Sequence, residues 1–420
     1  MRRSWFVAIV MLLAVTSCTS SSAGSTSVTP IRVGAIYPLS GSQGPGGRDE
    51  YRGVQVATNL VNQEGGVNGA PVQLDPIDVP LGEDAPAAID QLANSGIGIV
   101  LGSYGTTISE PAANEAASRG MVFWETGAVG SMPPPGGGST DYFRVAPSGA
   151  TLGRDAVDFI GHRLAPMLGR SASGLRFGVV SVDDAYGSTV AAGAIDEIHT
   201  LHLPFVGRFN YDANRLDAHA LIHRVARSHP DVLFVAAYLD DGVAIRRAMV
   251  AERLPLVANI GTSSSYCMPA FGNRLGRQAV GHFASDKLDG EYVNKAGLTA
   301  SGRTLLHEAR SAYEDRFGIE MSAAALSGFS SAWALFHSVM PAAGAITAGS
   351  VAAAAVATRL PVGSLPNGSG LAFAAPGSAH AGSNLRAMSV IWEWVAPRER
   401  AVVWPPRFAT ADVKAIRIAV

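Results

Sequence analysis

Residues 101–111 read LGSYGTTISEP. Small and hydroxyl-bearing side chains fill the turn between an apolar run, IGIVLG, and a helix-like run, SEPAANEAASRG. Such a turn has two readings. In one, the hydroxyls only cap their own helix; in the other, the turn is a cradle for an anion. A helix N-terminus presents unpaired N–H donors and about half a unit of positive charge, which is the chemistry a carboxylate needs. Gly102 and Gly105 let the backbone come close to a ligand, and Thr106, Thr107 and Ser109 add hydroxyls. Glu110 stands three residues after Thr107, the spacing of a capping box.

Catalytic constellations are missing from the sequence. There is no G-x-S-x-G, and GTSSS fails that spacing. GSQGPGG is not a dinucleotide fingerprint, and no Walker pattern occurs. His219 and His223 lie four apart in HALIH, but no H-E-x-x-H glutamate accompanies them. They read as a solvated helix face, as do His199 and His202. The chain is therefore expected to be no enzyme, with no metal and no cofactor.

The turn needs strands and helices to position it, and the chain supplies them in alternation. IRVGAIYP, VQLDPIDV, IGIVLG and MVFWE read as strands. Between them, DEYRGVQVATNLVNQ carries Tyr51, Val54, Ala57 and Val61 on one helical face, and Gly65 or Gly66 suits its end. EDAPAAIDQLANSG starts with acids and stops at Gly96, as the helix dipole and capping rules favour. Strands alternating with helices over short connections imply parallel sheets covered on both faces. The pattern restarts at YFRVAPS and continues through LRFGVVSV, LPFVGRF, DVLFVAAY and PLVANIG. That is too long for one small sheet, so two Rossmann-like lobes are expected. From about Ser285 long helices and two strand-like runs, LRAMSVIWEWV and RAVVWPP, follow without alternation. They are expected to complete the two earlier lobes.

Composition agrees with an ordered chain of 420 residues: 47% hydrophobic, 16% charged, formal net charge −2. Without a basic stripe, nucleic acid and an electrostatic membrane partner are excluded. Arg2 and Arg3 precede the apolar run WFVAIVMLLAV, which has the parts of a secretory signal and is too short to span a bilayer. VTSC at residues 15–18 resembles a bacterial lipobox, which makes Cys18 the expected site of lipid attachment. TSSSAGSTSVTP then reads as a flexible tether. Lipidation of Cys18 leaves Cys267 without a disulfide partner, and Cys267 reads as a buried small residue.

Taken in order, several segments resemble the periplasmic substrate-binding proteins of branched-chain amino acid ABC transporters. They are IRVGAIYPLSG, RGVQVATNLVNQEGGVNGAPVQL, GSYGTTISEPAANEAASRGMVFWETGA, DDAYGSTVAAGAIDEI and HPDVLFVAAYLDDGVAIRRA. The likeness runs from about Ile31 to Gly281 and more weakly to Pro405. It implies the type I periplasmic-binding fold: two α/β lobes joined by three crossovers, with the ligand cleft between them. The expected division is a signal peptide at 1–17, a lipidated tether at 18–30, lobe 1 at 31–147 and 285–365, lobe 2 at 148–284 and 366–405, and a tail at 406–420.

By position, the resemblance implies that Thr106 donates to a ligand carboxylate with Tyr104 lining the site. Gly127 and Ala128 would form a second backbone cradle. Tyr186, Tyr238 and Phe329 would close over the ligand as aromatic walls, tyrosine combining an apolar face with a polar tip. The implied partners are a small-molecule solute, ABC permease subunits and the membrane through the lipid anchor. The chain is expected to act as an extracytoplasmic monomer, held on the cell membrane of a bacterium.

The sequence also departs from that pattern. Gly261, Thr262 and Ser263 stand where the family's second-lobe acid meets a ligand ammonium; Val129 replaces a hydroxyl residue; a first-lobe aromatic is replaced around Gly46. A buried ammonium needs a carboxylate. Either Glu125, Asp183, Asp240 or Asp241 supplies it, or the ligand is a small carboxylate or amide without a free amine. A lipid-anchored sensor or scaffold on the same fold is the competing role, because fold does not dictate function.

Overall fold

The computed structural model describes Met1 and residues 28–41, 43–130, 141–288, 294–378 and 380–414. Cys18, the rest of the leader after Met1 and the tether up to residue 27 lie outside the described residues.

The first sheet is built from β1 (Ile31–Tyr37), β2 (Val72–Asp78), β3 (Ile99–Gly102), β4 (Val122–Glu125) and β5 (Tyr142–Arg144). Their order is β2-β1-β3-β4-β5, every pair parallel. Helices α1 (Gly44–Gln63), α2 (Ala85–Asn94) and α3 (Thr106–Ser118) make the crossovers. Successive strand residues point to opposite faces. Ile36, Val100 and Phe123 therefore pack with Ile89, Leu92 and Ile108 on the α2–α3 side. Val33, Ala35, Leu101 and Trp124 join Val54, Ala57 and Val61 of α1 on the other. Pro76 lies in β2, an edge strand, where a missing N–H is tolerated. As the sequence predicts, Gly65 follows α1 at φ 105° and Gly96 follows α2 at φ 77°.

The chain then runs through α4 (Gly149–Phe159), a π-helical turn and α5 (Ala165–Met167). The second sheet contains β6 (Phe177–Val182), β7 (Phe205–Tyr211), β8 (Val232–Ala236), β9 (Ala258–Thr262) and β10 (Phe283–Asp286). Between these strands lie α6 (Ala185–Thr200), α7 (Ala218–Ala226), α8 (Leu239–Ala251) and α9 (Pro269–Leu275). All six residues of β6 are buried, as a strand covered on both faces requires.

The remaining elements are α10 (Ala300–Phe317), α11 (Ala323–Trp333), α12 (Ala348–Ala357), β11 (Val390–Ala396) and β12 (Glu399–Trp404). β11 pairs antiparallel with β10 and β12 antiparallel with β11, giving the order β12-β11-β10-β9-β8-β6-β7. This sheet is therefore parallel only in part, because a tight hairpin cannot join parallel strands. α11 lies on the first sheet: Trp124 Nε1 donates to Ser331 O at 2.9 Å. Residues near 371–384 also pack there. Phe373 meets Phe143 edge-on at 4.9 Å, and Ser383 bridges Arg144. The lobe boundary expected at residue 366 thus falls just before a segment that packs on the first sheet.

Candidate functional site

The site is assembled at the carboxyl ends of the strands, where ligands bind in open α/β sheets. On the first sheet the turn after β3 carries Tyr104 and leads into α3. The expected capping box does not form. Gly105 is the residue before the helix, and Thr107 Oγ1 accepts instead from Gln43 Nε2 at 3.1 Å. Thr106 is 5% exposed, and its Oγ1 accepts from Gly130 N at 3.0 Å. Among the described residues the amides of Thr106 and Thr107 donate to nothing.

Helix α1 begins at Gly44, earlier than its hydrophobic pattern suggests, with Pro45 in the first turn. The ring of Tyr104 fills the space over this turn: a Cβ on Gly46 would lie 2.3 Å from Tyr104 Cζ. The aromatic residue that the sequence lacks near Gly46 is thus replaced by one from the next turn along the sheet.

The turn after β4 is saturated. Gly127 N and Ala128 N donate to Glu125 Oε1 at 2.9 and 2.8 Å. The amides expected to hold a ligand carboxylate therefore hold the carboxylate of this chain. Thr126 Oγ1 donates to Glu50 Oε1 at 2.6 Å and lies 2.8 Å from Tyr37 Oη. Thr126 O accepts from Ser327 Oγ at 2.6 Å. Glu50 and Glu125 are fully buried, and each keeps one carboxyl oxygen without a partner. Burial pushes Glu50 up to about 8 against the pull of Lys287 and Thr126. It pushes Glu125 up to about 7 against Ser109, Arg144 and the two amides.

The second sheet meets these groups. Lys287, just past β10, donates from Nζ to Gly127 O at 2.8 Å. Burial first, then the acidic groups around it, Glu50 foremost, holds the Tyr104 phenol well above the usual tyrosine range. Tyr186 and Tyr238 stand together, ring centroids 5.3 Å apart. Tyr186 Oη accepts from Ser264 N at 3.4 Å, and Tyr238 Oη donates to Asp184 Oδ2 at 2.6 Å. Of the residues singled out in the sequence, Gly127 touches the second sheet's side through Lys287, while Tyr186 and Tyr238 stand together beyond the strand ends of the second sheet. Phe329 does not join them in the same way: it is fully buried in α11 and stacks on Trp333 at 5.8 Å.

The acids differ from those singled out in the sequence. Glu125 serves its own turn. Asp240 is exposed and pairs with Arg274. Asp241 accepts from Tyr211 Oη at 3.1 Å, and Asp183 is exposed. The buried acids at the contact are Glu50 and Asp286. Asp286 Oδ2 accepts from the thiol of Cys267 at 2.7 Å, while its Oδ1 has no partner. Position 261 cannot carry an acid, since a Cβ there would lie 2.2 Å from the Tyr266 ring. One signal for Lys287 was present: only three of the 32 basic residues are lysine. Nothing local marks Glu50, which reads as part of a polar helix start.

His219 and His223 both turn toward Glu252, at 2.9 and 3.3 Å. Among the described residues no group of three or more His, Cys, Asp or Glu side chains is arranged to hold a metal ion.

The family model described as periplasmic binding protein matches residues 30–390. The Leu/Ile/Val-binding protein homolog 8 of Brucella suis biovar 1 is 28% identical over 324 residues, covering 76% of this chain and 78% of that protein. Among solved structures, the leucine binding protein LivK from Thermotoga maritima has a TM-score of 0.72 at 16% identity, covering 89% of this chain and 97% of the other. A solute binding protein from R. palustris in complex with benzoate has a TM-score of 0.69 at 15% identity, covering 93% and 100%. Both structures share the fold.

Proposed function

This chain belongs to the family of periplasmic binding proteins, which bind substrates and are not enzymes, and we propose that it is the extracytoplasmic solute-binding component of an ABC importer. It takes a small carboxylate-bearing solute, an amino acid or a related acid or amide, between its two sheets. One observation carries this reading: Lys287, at a strand end of the second sheet, donates to Gly127 O, at a strand end of the first, so that a polar bond joins the two where a bridging ligand would lie. If the two sides open and close, a ligand that bridges them shifts the population toward the closed form.

In this reading the anion falls to the first turn of α3, whose Thr106 and Thr107 amides are free, with Tyr104 beside it. Gly127 and Ala128 form the adjoining wall, their amides kept by Glu125. Tyr186 and Tyr238 close from the other side. Cys18 carries the lipid, as a diacyl group, because one chain anchors only marginally. The Leu/Ile/Val-binding homologues support an amino acid or a chemically close solute.

Calorimetric titration of the purified chain with small acids, amides and amino acids tests the site. Uptake into proteoliposomes carrying the permease encoded nearest to it tests the role. Submillimolar binding and solute-dependent ATP hydrolysis are expected. Binding with no effect on any such permease would favour a sensor.

A further inference from the structure

The turn after β4 holds a carboxyl group and an ammonium that this chain itself supplies. Its amides at Gly127 and Ala128 hold the Glu125 carboxylate, and its Gly127 carbonyl holds the Lys287 ammonium. A free α-amino acid brings the same two groups, a carboxylate and an ammonium. Resting on the solute-binding reading above, we propose that Lys287 is a built-in ammonium that determines specificity, so that the cleft takes small carboxylic acids lacking an α-amino group.

Space and hydrogen bonding favour this. Thr126 O is taken by Ser327, and Gly127 O by Lys287. On the flank of Gly127, a Cβ would lie 1.9 Å from Glu50 Oε2. An entering ammonium therefore finds the Thr126 and Gly127 carbonyls already taken, and it meets Lys287, a like charge. Displacing Lys287 would leave that ammonium partly buried without a partner, which is costly.

The charge balance points the same way. Asp286 is the acid of the second sheet, and both Lys287 and Arg400 act on it. Glu125 is similarly offset by Arg144. Glu50, pushed up to about 8 by burial, retains its proton at neutral pH. Its partnerless Oε2 is then a donor in search of an acceptor. A carboxylate entering here meets the Lys287 charge, the Glu50 O–H and the open first turn of α3.

The test uses ligand pairs that differ only at the α-carbon: leucine with 4-methylpentanoate and with 4-methyl-2-oxopentanoate, and phenylalanine with 3-phenylpropanoate. They are titrated calorimetrically into the wild type, Lys287→Met and Lys287→Gln. Glutamine keeps a donor for Gly127 O and loses the charge, so it remains informative if Lys287→Met does not fold; circular dichroism checks both. The wild type is expected to bind at least one acid about tenfold or more tighter than its amino partner, and the neutral variants to lose about tenfold for that acid. Amino acids binding as tightly as their des-amino partners would overturn the specificity role while leaving solute binding intact. So would acid affinities unchanged in Lys287→Gln. No binding of either class at millimolar concentration would overturn both.

Discussion

Thr126 hydrogen-bonds Glu50 across two elements: its Oγ1 lies 2.6 Å from Glu50 Oε1, joining α1 to the turn after β4. The bond places a carboxyl in full burial, at the heart of the site.

Glu50 should make the protein less stable as pH rises. Its carboxyl goes from an ordinary value of 4.5 to about 8 on folding. The folded chain therefore binds the proton more tightly than the unfolded one. The associated stability is complete below about 4.5 and is lost as pH climbs through about 8. Thermal unfolding between pH 5 and 8.5 should show a falling Tm. Glu50→Gln should flatten that fall; an unchanged slope would contradict the assignment.

Glu125 should matter mainly as an acceptor. Glu125→Gln keeps an oxygen for Gly127 N and Ala128 N, whereas Glu125→Ala strands both amides in a buried turn. The alanine variant should lose about 1–3 kcal/mol for each stranded amide, read from urea unfolding. The glutamine variant should lose much less.

The seam between α1 and α11 should tolerate no added carbon. A Cβ on Gly53 would lie 1.9 Å from Ala325 O, and one on Gly328 would lie 2.1 Å from Glu50 O. Both obstacles are backbone and cannot swing aside. Gly53→Ala and Gly328→Ala should each cost about 3 kcal/mol, seen as a lowered denaturation midpoint. Gly328→Ala should also weaken ligand binding, because it shifts Glu50.

Much of this was legible in the sequence because it is local. The strand and helix alternation, the stops at Gly65 and Gly96 and the two-sheet plan follow from periodicity and backbone preference. Tyr186 and Tyr238 could be named only through the family resemblance, which places aromatic residues at those positions. The contact chemistry could not be read so directly. Lys287 reaches a residue 160 positions away, and SDKLDG looks like an ordinary solvated turn. Glu125 reads as a free acid until the turn folds back onto it. Phe329 reads as a wall residue, but α11 turns it toward Trp333 in the core.

Closure should depend on the tyrosine pair. Tyr186→Ala removes a ring that is 2% exposed and packs on Tyr238. For whichever acid or amino acid the wild type binds, affinity should fall about tenfold or more, a change of about 1.4 kcal/mol per decade. Tyr238→Phe removes only the bond to Asp184 and should cost less. Titration calorimetry on both variants orders them.

The last two strands of the second sheet have a consequence for biogenesis. That sheet opens at Phe177 but is closed only by residues 390–404, which lie along β10. A nascent chain arrested before this hairpin presents β10 with one naked edge, a template for unwanted pairing between copies. The polypeptide must therefore be shielded until residues 390–404 have been made, and chains truncated before this hairpin should yield aggregates, not a smaller soluble binder.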